Sequence, residues 1–142
     1  MNSYRTEMPI PFAARLPYVH HTNRELGLML SRKKPLAHFA DGEGRFPESV
    51  KRYLRLFDRH VASGQIVRRD VFIAPNRNRH YTLHRILFVL PGEEWRIDAM
   101  IQLFESPSWG IEQERSEGEL LGYEDWMNDH FLALRYPDRT GS

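Results

Sequence analysis

The chain has 142 residues, 20 Lys+Arg against 19 Asp+Glu, and no cysteine. That profile fits one soluble globular domain. It excludes a disulfide scaffold, an iron–sulfur cluster, a thiolate zinc site and a cysteine nucleophile. No stretch approaches the ~18 apolar residues needed to span a bilayer, and the proline-broken Met8–Ala14 stretch is no secretory h-region. The expected setting is cytoplasmic, with no membrane partner. Only three of the basic residues are lysines (Lys33, Lys34, Lys51), an arginine bias that points to a bacterial or phage source.

In chain order, residues 1–21 carry Pro9, Pro11 and Pro17 and show no period, so they read as an extended arm. Thr22-Asn-Arg-Glu25 has the spacing of a capping box, followed by Leu26, Met29 and Leu30 on one helix face. Leu36–Phe39 reads as a short edge strand, and Asp41–Arg45 as a turn. Pro47 and Glu48 open a helix over 47–63, with Val50, Tyr53, Leu54, Phe57 and Val61 on one stripe and Gly64 just past its end.

From there the period changes to two. Val67, Val71 and Ile73 share a strand face, Ala74–Arg79 reads as a hairpin loop, and His80–Leu90 as a second strand. Ile86–Leu90 is apolar on both faces, which places that strand centrally. Trp95, Ile97, Met100, Ile101 and Phe104 form the next helical stripe. Ile111–Leu121 and a final helix with Tyr123, Trp126, Met127, Phe131 and Leu134 follow, with Gly122 at the corner between them. The expected fold is α+β: a small, mostly antiparallel sheet, built from a hairpin over about 65–90 and a short edge strand, packed with four to five helices on one face. The expected organisation is an arm (1–21), one globular domain (22–136) and a loose tail (137–142).

The near-neutral total conceals a segregation. Residues 1–70 hold 13 Lys+Arg against 7 Asp+Glu, a balance of +6, whereas residues 71–142 hold 7 against 12, a balance of −5. The extreme segment is 93–129, with eleven acids against Arg96 and Arg115. Either the two halves pack together and neutralise one another, or the acidic half faces a partner and steers it.

Three chemistries compete for the site. The first is a protein-binding surface made by Glu112, Glu114, Glu117, Glu119 and Asp125, with Trp109 and Trp126 as aromatic anchors. The second is a nucleic-acid contact through the arginine-rich hairpin, Arg68, Arg69, Arg77, Arg79 and Arg85. The third is a small enzyme with a histidine or carboxylate general base, His38, His80 or His84 being the histidine candidates with arginine partners. His80 and His84 on a strand lie roughly 13 Å apart, too far to share one ion. No nucleophile elbow, phosphate loop or calcium loop is present. The leading expectation is a small non-catalytic regulator or inhibitor of the immunity or phage-modulator type, with no cofactor and no metal. Its partner would be a basic protein or a second copy of itself.

Overall fold

Among the described residues, strong period-two and period-3.6 patterns in the sequence become three strands and five helices. The structure is a computed structural model, and it describes residues 16–137. The order is α1 (Glu25–Leu30), β1 (Leu36–Gly42), α2 (Glu48–Ala62), β2 (Val67–Ile73), β3 (Leu83–Val89), α3 (Trp95–Phe104), α4 (Ile111–Leu121) and α5 (Asp125–Arg135). The fold is α+β with one three-stranded antiparallel sheet, ordered β1–β3–β2.

The central place of β3 follows from its composition. Ile86, Leu87, Phe88 and Val89 are all at most 1% exposed, so both faces of the strand are dry. Alternation sends Ile86 and Phe88 to one core, with Ala37, Met29, Leu54 and Phe57. It sends Leu87 and Val89 to a second core, with Leu36, Ile97, Met100, Phe104 and Leu121. Phe57 of α2 stacks on Phe88 with ring centroids 4.2 Å apart. Helices therefore cover both faces of the sheet, α1 and α2 on one and α3 to α5 on the other. The expectation of one covered face is corrected by the apolar character of both sides of β3.

Several ends differ from the sequence pattern. β1 runs for seven residues and reaches Gly42. β3 begins at Leu83, so His80 lies in the connecting loop. The capping box does not form: α1 starts at Glu25, Arg24 occupies the N-cap without a side-chain bond, and Asn23 takes φ 67. A tertiary contact replaces the cap, because the Leu26 N–H donates to the Tyr53 hydroxyl at 2.8 Å.

Other signals translate directly. Past the Ser63 cap of α2, Gly64 at φ 83 donates to Val61 O and Gln65 donates to His60 O. This is the Schellman pair of bonds. Gly122 turns the chain between α4 and α5 at φ 94, and a Cβ there would run into Pro35 Cδ. Of the expected arm, residues 1–15 lie outside the described residues, as does the tail from 138. Within residues 16–21 the chain alternates: Leu16 is buried and Tyr18 meets Tyr123 and Trp126 edge-on at 5.9 and 5.5 Å, while Val19 is exposed.

Candidate functional site

The sheet separates the charges. On one side lie Arg24, Arg32 and Lys33 around α1, and Lys51, Arg52, Arg55 and Arg59 on α2, all exposed. On the other side lie α3, α4 and α5 with the acidic excess. Most ion pairs among the described residues stay within their own side. Arg68 is held by Asp58 and Asp70, Arg96 by Glu93, and Arg115 by Asp129. Arg69–Asp98, at 2.9 Å between β2 and α3, links the two halves of the chain. Among the described residues, the exposed cations of α2 and the acidic excess of α3 to α5 lie on opposite faces of the sheet, while Arg32 and Lys33 share a cleft with Glu93 and Arg96 at its end.

The acidic residues are not equivalent. Along α4, positions 114, 117, 118 and 121 form the inward stripe, so Glu114 and Glu117 are fully buried while Glu112 and Glu119 are exposed. Arg135 Nε stands 3.7 Å from Glu114 Oε1, and the charge of Glu117 acts on buried Arg85. The surface expected from four α4 glutamates thus reduces to two, because the other two serve the interior.

The tryptophans are also redistributed. Trp109 is half-buried and stacks on Phe104 at 6.0 Å. Trp126 is 45% exposed beside Asp125, its ring N–H donating to Glu124 at 2.6 Å. Trp95, which the apolar stripe of α3 places in the core, is the most exposed of the three at 57%.

Trp95 stands at the end of a groove between α3 and α4. The groove has a volume of about 590 Å³, and Ala99, Leu103 and Leu120 supply its apolar floor. Glu119 is on its wall, and Glu94, Asp98 and Glu105 are exposed on or beside α3. Arg96, the one cation in the wall among the described residues, is already engaged. Its Nε donates to Glu93 at 2.9 Å, its Nη1 donates to the carbonyls of Glu119 and Leu120 at 3.1 Å, and its guanidinium lies 4.6 Å from the Trp95 ring centroid. Arg96 ties the last carbonyls of α4 to α3 and props the indole outward. An apolar trough with Glu119 on its wall and exposed Glu94 and Glu105 on or beside α3 suits a basic segment that carries an apolar anchor.

The arginine hairpin is spent differently. Arg68 and Arg69 are ion-paired as above. Arg79 donates to the carbonyls of Ile73, Ala74 and Tyr81 and pins the loop. Arg85 is buried, 3.9 Å from the Phe104 ring centroid, with Nη1 3.2 Å from His38 Nε2. Burial pulls the Arg85 guanidinium down to about 10, against the raising effect of Glu117. Arg77 is exposed, with no ion pair among the described residues. These five side chains do not converge on one surface.

The three candidate histidines are likewise dispersed. His38 is buried on the α3 side of β1, and burial together with the Arg85 charge lowers it to about 3. His84 is on the α2 side, 2.7 Å from Asp70 and stacked on Phe72. His80 is exposed in the loop. No known family, curated protein or solved structure matches the chain.

Proposed function

We propose that the protein works by binding another protein, holding a basic segment in the α3–α4 groove as a small regulator or inhibitor in the cytoplasm. The observation that carries this reading is the exposed Trp95 at the head of an apolar trough on the acidic side of the sheet. A large aromatic in a partly enclosed site is the usual energetic anchor of an interface. The surrounding acids raise the encounter rate and select the sign of the partner. Trp126, with Glu124 and Asp125, extends the same acidic side. Among the described residues no helix is long and apolar enough to cross a membrane.

The test is a titration with a short amphipathic lysine–leucine peptide, read through the Trp95 fluorescence obtained by difference from Trp95→Phe. A glutamate–leucine peptide of the same length is the control. The lysine peptide is expected to bind with an affinity that falls as salt is added. Trp95→Ala should weaken it by at least about tenfold, the scale of an interface anchor. Equal binding after the double reversal Glu94→Lys and Glu119→Lys would remove the groove from the account.

A further inference from the structure

α2 carries an outer face that the core does not use. Leu54 and Phe57 take the buried side of the helix, while Arg52, Arg55, Leu56 and Arg59 are exposed. These four follow the i, i+3, i+4, i+7 spacing of one helix face, and they line the same surface hollow. Leu56 is 42% exposed, a large apolar side chain set among three guanidinium groups.

The charges around this stripe differ in how they are satisfied. Lys51 is paired with Glu48 at 3.2 Å, and Asp58, the acid beside the stripe, is taken by Arg68 at 2.8 Å. Arg52, Arg55 and Arg59 enter no ion pair among the described residues. Like charges three and four residues apart on a helix repel one another. An acidic surface brought from outside relieves that repulsion.

The chain carries such a surface on the other face of its sheet. The α3–α4 groove has an apolar floor, Glu119 on its wall, and exposed Glu94 and Glu105 at the two ends of α3. From Glu94 to Glu105 is about 16 Å of helix, and from Arg52 to Arg59 about 10 Å. The arginine stripe therefore fits within the length of the groove. A phosphate backbone would meet the arginines but leave Leu56 without an apolar contact, whereas the trough offers both. The net charge of the chain is +1, so two copies approach without strong mutual repulsion.

Resting on the reading of the α3–α4 groove as a site for basic segments, we infer that it takes α2 of a second copy of this chain. Leu56 lies over the apolar floor, and the three arginines face Glu94, Glu105 and Glu119. Plug and socket stand on opposite faces of one sheet, so two copies alone cannot satisfy both contacts. The association is head-to-tail and adds copies one after another. A basic partner competes with α2 for the groove and disperses the assembly.

The experiment is sedimentation velocity of the full chain across concentration, at low and high salt. At low salt the mean mass should rise with concentration past two copies, and it should return to that of one chain as salt is added. Two variants separate the contacts: Arg52→Gln with Arg55→Gln removes the plug, and Glu94→Lys with Glu119→Lys removes the socket. Each alone should associate at least about tenfold more weakly than the parent. Mixed, they should form a two-copy complex and nothing larger, because each supplies the part the other lacks. A loss caused by net charge or misfolding would not be repaired by mixing. The inference is overturned if the mass of the parent is independent of concentration, or if mixing restores nothing. It is overturned too if the chain stays single while a short oligonucleotide binds through Arg52 and Arg55. The lysine–leucine peptide tells the two readings apart. A single chain that still binds it loses only the second-copy contact, whereas one that ignores it loses the groove as well.

Discussion

Replacing Gly122 by alanine tests how the acidic helices are seated on the rest of the fold. Gly122 holds φ 94, where an L-residue costs about 1–2 kcal/mol. A Cβ there also collides with Pro35 Cδ, and forcing a methyl into packed space adds about 1–3 kcal/mol. The expected loss is therefore about 2–5 kcal/mol, a large share of a small domain's stability. Gly64 provides the reference, because its φ is 83 and nothing lies within 4 Å of its missing Cβ. Gly64→Ala should lose only the backbone part, about 1–2 kcal/mol. Urea unfolding of both variants at unchanged slope gives the difference. Pro35→Ala in the Gly122→Ala background should recover part of the clash, read as a coupling energy. Equal losses at Gly122 and Gly64 would refute the reasoning, since the Pro35 contact would then contribute nothing.

Three further outcomes follow from the buried charges. His38 is held near 3 instead of 6.5, so the unfolded chain takes up a proton that the folded one refuses. Stability should fall as pH drops through that window, by up to about 1.4 kcal/mol per pH unit from this group. Denaturation curves of His38→Gln should lack that slope. Glu25 is raised, so its contribution is present below 4.5 and lost as pH rises through its folded value. Glu25→Gln should be more stable than the parent at neutral pH and no different in acid, measured by the same unfolding assay. Arg85 is buried on Phe104 beside His38. Arg85→Ala should cost about 3–5 kcal/mol, the scale of breaking a buried ionic arrangement. Arg85→Met, which keeps the stem, should cost less; a loss under about 1 kcal/mol for alanine would show that the cluster is not interlocked.

How much of this is legible in the sequence depends on whether the signal is local. Gly64 and the apolar run at 86–90 have one physical solution each, a left-handed cap and a central strand, and both appear. Thr22–Glu25 has the spacing of a cap, yet the Leu26 N–H is taken by Tyr53, a residue from another helix that no local pattern contains. Glu114 and Glu117 look like members of a solvated run. Their spacing with Gly118 and Leu121 is the only local sign that they face inward, and the acidity of the segment hides it. Trp95 belongs to the α3 stripe by period but lies beyond the edge of the core, where Arg96 supports it from outside. A cleft at the β1 edge joins residues 21, 25, 34, 38, 121 and 123, a set that only the tertiary fold assembles.

The segregated charge is the feature that ties fold to function, since basic and acidic helices take opposite faces of one sheet. The most direct test is an amide chemical-shift map of the full chain titrated with the lysine–leucine peptide at low salt. The account predicts that shifts concentrate on Trp95, Ala99, Leu103, Glu119 and Leu120 and fade as salt is added. Shifts confined to α2, or spread evenly and without salt dependence, would contradict it.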